Sequence, residues 1–486
     1  MKDPLAVLEA IDRLEVGPAR LAPNRLIATY KIILGRKTDS LDLIYKYEDN
    51  VFAPGEQSSQ NLADMIAAQI ALNYGLFARE IVFRGRFDSH DMRFLKEMGE
   101  NTAREIYVKK FLEYNPFLVG PAAKLPTVKM KSYLRSKLVF AGGSPPKTSW
   151  QTDQSRYAVL SSGGKDSLLS FGLLDEMGYE THPIFVNESG RHWYTALNSY
   201  RYFQRKYKNT GRIWTNSDRL FNWMLRHLPF IRKDFAGIRA DEYPIRLWTV
   251  PVFIFGAIPL LRKRGLGRLI IGNEYDTTRR YRHKGIPHYD GLYDQSRFFD
   301  NAMSRYFAQK GWGIRQLSIL RPLSELMIEK ILVQRYPDLQ RQQVSCHATH
   351  IKRGRACPCG NCEKCRRIVG MLLALDADPR RCGYTATQIG PVLMQLANTS
   401  LRQDAASAEH LVYLLSRKDM LPFLGDIRKP ARPHHQIEKL MFDREKSLLS
   451  EFPADIRGRL LDIYLEHAGG CVRRQGGEWV DFSPAS

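Results

Sequence analysis

The chain has 486 residues, of which 44% are hydrophobic and 26% charged, and Lys+Arg 73 against Asp+Glu 51 leaves a net charge of +22. Such a composition belongs to a folded protein of two to four domains and excludes a disordered or collagen-like chain. The basic excess favours anionic partners: nucleotides, phosphorylated sugars, nucleic acid or a membrane surface.

Met1-Lys2-Asp3-Pro4 opens a segment without the apolar core of a signal peptide. The longest largely apolar run, Trp248 to Leu261, is interrupted by Pro251 and Pro259 and too short to span a bilayer. Five of the seven cysteines fall between Cys346 and Cys365, which does not suit a disulfide framework. A cytoplasmic protein without a membrane span is the expectation.

Residues 1–150 read as an α+β unit. Leu26 to Leu34 and Leu41 to Tyr47 are β-rich and flank Gly35 to Asp39, a hairpin pattern. Asn61 to Phe77 and Asp91 to Tyr114 carry helical spacing, and Glu80 to Phe83 a short strand. Gly142-Gly143-Ser144-Pro145-Pro146 marks a boundary. Strand and helix then alternate, the mark of a parallel α/β sheet.

Tyr157 to Leu160 predicts a strand, Ser167 to Leu174 a helix, and Ser161-Ser162-Gly163-Gly164-Lys165-Asp166 the loop between them. Paired glycines let the backbone approach a phosphate, and the first amides of a helix attract it. Lys165 adds charge, and the hydroxyls of Ser162 and Ser167 can donate. Asp166 fits an anion site by holding a metal ion or capping the helix. The loop is not a Walker A motif, which needs G-x-x-x-x-G-K-[ST].

His182 to Val186 predicts the next strand, ending in Asn187-Glu188-Ser189-Gly190 at the sheet edge where such folds bind ligands. Gly211 to Thr215 and Arg268 to Ile271 follow, and the latter opens onto Gly272-Asn273-Glu274-Tyr275-Asp276. Those carboxylates, among Arg262, Lys263, Arg264, Arg279, Arg280, Arg282 and Lys284, suit a magnesium-nucleotide or acidic-substrate site. His283 and His288 lie just beyond.

Cys359-Gly360-Asn361-Cys362-Glu363-Lys364-Cys365 gives C-x-x-C-x-x-C, and Cys346 supplies a fourth thiolate. Four thiolates make a closed tetrahedral Zn²⁺ site; an iron–sulfur cluster uses the same ligands. Cys357 is spare or replaces Cys346. Residues 401–486 read as a helical extension, with His410 to Leu415 and Ile437 to Leu449 as amphipathic segments around Arg428 to Pro433 and a loop or tail from Gly469 to Ser486.

Ser161 to Ser167 resembles the SGG-x-DS signature of the PP-loop ATP pyrophosphatases. The resemblance implies a parallel-sheet, HUP-like (adenine nucleotide alpha hydrolase) domain over residues 151–400 that cleaves ATP to AMP and pyrophosphate with Mg²⁺ and adenylates its substrate. It implies nucleotide contacts from Ser161, Ser162, Gly163, Gly164, Lys165, Asp166, Ser167 and Asn187.

Two such families carry a cysteine site. The 7-cyano-7-deazaguanine synthases are similar in the glycine loop and in Cys346 with Cys359 to Cys365. The UDP-N-acetylmuramoyl-L-alanyl-L-glutamate epimerases are similar in Gly164 to Ser167, Asn273-Glu274, Leu320-Arg321-Pro322-Leu323-Ser324-Glu325-Leu326, Ser345 to Cys365 and a long N-terminal domain, over roughly residues 20 to 380. The second likeness implies epimerisation of a terminal glutamate after adenylation, with a nucleotide-sugar peptide as anionic substrate. Lys165 and Asp166 then serve catalysis, Glu274, Asp276 and His288 are candidate bases, and Cys346, Cys359, Cys362 and Cys365 hold zinc. A tRNA-modifying or RNA-binding protein is a third reading, which the charge supports, although no RNA-binding motif occurs.

Overall fold

Tyr157, Ala158 and Val159 are fully buried, as a strand covered by helices on both faces must be. In the computed structural model, which describes residues 3–188, 190, 193–238, 242–398, 404–421 and 431–484, this strand lies inside one large sheet. In chain order the strands are β1 (Ile11–Val16), β2 (Arg20–Ala22), β3 (Arg25–Leu34), β4 (Lys37–Tyr47), β5 (Ala78–Arg84), β6 (Lys137–Ala141), β7 (Asp153–Leu160), β8 (Glu180–Glu188), β9 (Gly211–Thr215) and β10 (Leu266–Ile270). A separate hairpin of β11 (Tyr281–His283) and β12 (Ile286–His288) follows, then β13 (Arg315–Leu317).

The sheet has 11 strands in the order β13-β10-β7-β8-β9-β4-β3-β1-β5-β6, with β2 on β3. From β13 to β9 all pairs are parallel. Alternation along β7 sorts its side chains between two cores. Ala158 joins the cluster containing Ile254 and Phe255 of the Val250–Arg264 helix, while Tyr157 and Val159 join that of Leu168 and Leu169 in the Lys165–Glu176 helix.

The sheet runs across the boundary expected near residue 150. β4 is antiparallel to β9 through Tyr45↔Thr215 and Tyr47↔Ile213. The hydroxyls of Tyr45 and Tyr47 donate to the carbonyls of Val252 and Gly256 at 3.1 and 2.9 Å. Because β7 is followed by β8 on one side and paired with the later β10 on the other, the strand order reverses between β7 and β10. Open parallel sheets bind ligands beyond the strand ends at such a reversal.

The C-terminal stretch departs from the helical expectation. Its described helices are Ala405–Arg417, which contains His410 to Leu415, and Ala454–Leu465. Ile437 to Leu449 is instead a 3₁₀ turn (His435–Glu438), a strand (Leu440–Phe442) and a turn closed by Asp443, whose Oδ1 accepts from the amides of Glu445 and Lys446. The expected tail contributes strands Cys471–Gln475 and Glu478–Asp481 to a three-stranded sheet. Gly476 and Gly477, both at positive φ, make the hairpin turn that displaces the loop reading. Ser189 and residues 428–430 lie outside the described residues. The extension is bonded to the main sheet: Arg268 of β10 pairs with both Asp455 oxygens at 2.7 and 2.9 Å, and the Tyr464 hydroxyl donates to the Ile319 carbonyl at 2.8 Å. Among the described residues no helix is long and apolar enough to cross a membrane.

Candidate active site and metal centre

The loop after β7 turns on Gly163, whose φ is +78°. A Cβ there would lie 2.5 Å from the Thr195 carbonyl oxygen and 2.7 Å from Cα of Ala196, so glycine is required for conformation and for space. The Gly163 carbonyl accepts from the Val344 amide at 3.2 Å, tying the loop to the chain that leads to Cys346. Ser161 is buried beneath the turn, its Oγ 3.1 Å from Oγ of Ser167, and the Ser167 hydroxyl reaches the Gly164 carbonyl at 3.1 Å. These two hydroxyls stabilise the loop. Gly164 starts the Lys165–Glu176 helix without a side-chain cap, the condition in which first-turn amides are left for an anion.

Ser162, Gly164, Lys165 and Asp166 line a cavity of about 280 Å³ together with Glu274, Glu325, Ser345, Cys346, Lys364 and Arg367. Lys165 is at its centre and only 4% exposed. Its Nζ lies 2.7 Å from Asp166, 3.1 Å from Glu274 and 3.5 Å from Glu325. Burial alone would lower its pKa, but these carboxylates raise it well above the ordinary lysine value. Burial pushes Glu274 up to about 8 against the opposing pull of Lys165. Burial also acts to raise Glu325, yet Lys165 and Arg367, the latter at 3.2 Å, hold it below the usual carboxylate value. The shifts favour the charged forms of Lys165 and Glu325 and the neutral form of Glu274.

Of the sequence-derived candidates, Ser161, Gly163 and Ser167 shape the loop without lining the cavity, and Asn187, Asp276 and His288 lie elsewhere. Asn187 is buried near the end of β8, opposite Trp214, and does not line the cavity. Asp276 accepts from the Ser407 hydroxyl at 3.2 Å, and burial followed by nearby Asp404 pushes it up to about 6. His288 is buried in β12, and its Nδ1 accepts from the Asp290 amide at 3.1 Å. Burial lowers its pKa, with Asp290 and Lys109 as its next electrostatic neighbours. Neither Asp276 nor His288 lines the cavity.

The cavity also holds residues that motif reading passed over. Glu325 belongs to the Leu320 to Leu326 stretch, and Lys364 stands inside the C-x-x-C-x-x-C motif, where spacing was read for sulfur alone. Arg367 is one turn further along the Glu363–Ala374 helix. That periodicity carries both cations toward the cavity from a helix that Cys362 caps and Cys365 anchors.

The Sγ atoms of Cys346, Cys359, Cys362 and Cys365 all lie within 4.8 Å of one another. Cys359–Cys365 and Cys346–Cys362 are 3.9 Å apart, and Cys362–Cys365 3.5 Å. Tetrahedral sulfur around zinc at a bond length of ~2.3 Å has edges of ~3.8 Å, so the set fits a metal. Backbone amides support the sulfurs: those of Cys359 and Ala348 donate to Cys346 at 3.2 and 3.3 Å, and those of Asn361 and Cys362 to Cys359 at 3.4 Å. Cys357 lies outside this group, in the hairpin strand Arg355–Cys357.

No protein-family model matches the chain, and no curated protein matches it. Fold and site together define a class: an α/β protein with a large, mostly parallel sheet and a four-cysteine centre able to hold a metal such as zinc. Its cationic and acidic cavity lies where the strand order reverses.

Proposed function

We propose that the chain is an ATP-dependent adenylating enzyme of the PP-loop type. In this reading it cleaves ATP to AMP and pyrophosphate to activate a carboxylate, and inverts the terminal L-glutamate of UDP-N-acetylmuramoyl-L-alanyl-L-glutamate or a related peptide. The observation that carries it is the Ser161 to Ser167 loop: it turns on Gly163 at positive φ and brings an uncapped helix start at Gly164 and the buried Lys165 onto one cavity.

The substrate carboxylate attacks the α-phosphorus and pyrophosphate leaves as an acyl-adenylate forms. Helix amides, Lys165, Lys364 and Arg367 surround the charge that accumulates on the leaving group. Asp166, which lines the cavity, is the carboxylate that would hold Mg²⁺, and the ion would neutralise phosphate charge when bound. Adenylation acidifies the glutamate Cα–H. Of the three candidate bases Glu274 is the one on the cavity, and a carboxyl raised to about 8 is basic enough to take up that proton near neutral pH once ionised. A second acid returns a proton to the opposite face of that carbon, and water then hydrolyses the acyl-adenylate to release the inverted acid and AMP.

The test is incubation with that nucleotide-sugar peptide, ATP and Mg²⁺ in deuterated water. Inversion with deuterium at the glutamate α-carbon supports the reading; unexchanged L-glutamate contradicts it. A second arm offers a deazaguanine carboxylic acid with ammonia, because the cysteine motif is shared with the deazaguanine synthases.

A further inference from the structure

A second cavity of about 530 Å³ opens on the same edge of the sheet. Its lining includes Tyr74 and Phe117 of the N-terminal unit, Phe221 of the helix after β9, Tyr243, Arg246 and His347. His347 follows Cys346, which lines the Lys165 cavity, so the 345–347 segment is a wall common to both. The smaller cavity is polar, with three cations facing three carboxylates; the larger has aromatic walls and falls within the ~300–1,000 Å³ of ligand pockets.

Arg246 is the unusual residue in it. It is only 7% exposed, and buried arginines normally have their donors met. The guanidinium lies 3.6 Å from the Tyr243 ring centroid and 4.5 Å from that of Phe221. Its nearest carboxylate is Glu188 at 3.7 Å, beyond hydrogen-bond reach and already accepting from the Ser217 hydroxyl at 2.8 Å. Nε of Arg246 has no hydrogen-bond partner among the described residues. Glu242, also on the cavity, is met by Lys110 at 3.0 Å. Two rings thus hold a planar cation in place, Tyr243 also through a side-chain hydrogen bond, while among the described residues Nε is left without a partner and no carboxylate is within hydrogen-bond reach. Such an arrangement is preorganised for a carboxylate, the acceptor that matches the guanidinium fork.

We propose that the second cavity receives the body of the acid activated at Lys165, and that Arg246 holds a second carboxylate on it. The inference rests on the adenylation reading and narrows its substrate to organic acids with two carboxylates, one reacting and one held.

The experiment compares N-acetyl-L-alanyl-L-glutamate with N-acetyl-L-alanyl-L-glutamine, which differ in the side-chain carboxylate alone. Binding to the full chain is measured without ATP by calorimetry and saturation-transfer NMR. A charge-assisted hydrogen bond in a buried site predicts a preference of at least about tenfold for the glutamate peptide. The double substitution Arg246→Gln, Glu188→Gln removes both charges together and is expected to abolish that preference, its melting curve reporting that it folds. Equal binding of the two peptides to the wild type overturns the proposal, as does a preference that survives in the folded double variant or absence of binding by either peptide. AMP formation is assayed separately, so failure of adenylation is distinguishable from failure of the subsite.

Discussion

Gly163 and Glu274 concentrate the physics of the site into two positions. At Gly163 the backbone conformation and the Thr195 carbonyl both reject a side chain. Gly163→Ala is expected to cost about 1–3 kcal/mol, the usual range for a strained backbone, and to weaken nucleotide binding as the loop shifts. Denaturant unfolding and nucleotide titration check the two effects. At Glu274, burial raises the folded carboxyl from an ordinary 4.5 to about 8. The native state therefore binds a proton that the unfolded chain has released, and this contribution to stability is complete below pH 4.5 and lost as pH climbs to about 8. Glu274→Gln keeps a neutral side chain at every pH. It should leave the melting temperature nearly unchanged at pH 5 and raise it relative to wild type at pH 8.5. A wild-type advantage that grows with pH would contradict the protonated assignment.

At the scale of elements, the cysteine centre is joined to the glycine loop. The Val344 amide bonds to Gly163, Cys346 follows two residues later, and Cys365 sits in the helix that presents Lys364 and Arg367 to the cavity. Metal loss should disturb both places, since binding of a structural metal is linked to folding. Cys362→Ser is expected to lower metal content below one ion per chain, lower the melting temperature and weaken pyrophosphate binding in parallel. Elemental analysis beside calorimetry checks this; full pyrophosphate affinity in a metal-free chain would uncouple the two elements. The sulfur spacing was legible in sequence because a tight C-x-x-C turn fixes its ligands locally. The glycine loop was legible for the same reason. Lys364, Arg367 and Glu325 were not, because their meeting depends on how the Glu363–Ala374 and Glu325–Arg335 helices pack. Asp276 and His288 looked equivalent to Glu274 in a polar run, but the chain turns after Glu274 and carries them to other surroundings.

For the whole molecule, the sheet ties the N-terminal unit to the parallel half through β4 and β9, which lie more than a hundred residues apart in sequence. The parallel sheet after residue 150 was readable because short strand patterns such as Tyr157 to Leu160 alternate with helix-length segments such as Ser167 to Leu174. The joining of two units was not, since Tyr45 and Tyr47 read equally well as a hairpin edge. The C-terminal hairpin was hidden by its charged strands, Cys471–Gln475 and Glu478–Asp481, which lack the apolar alternation that marks a strand. In this architecture one cavity gathers Lys165, Lys364 and Arg367 with three carboxylates, and the other carries Arg246 among aromatic rings. The central claim is cleavage of ATP between its α and β phosphates, and ³¹P NMR of the reaction with ATP, Mg²⁺ and the nucleotide-sugar peptide reads it directly. The account predicts AMP and pyrophosphate in equal amounts, dependent on the acid and lost in Lys165→Met; ADP with inorganic phosphate, or intact ATP, would contradict it.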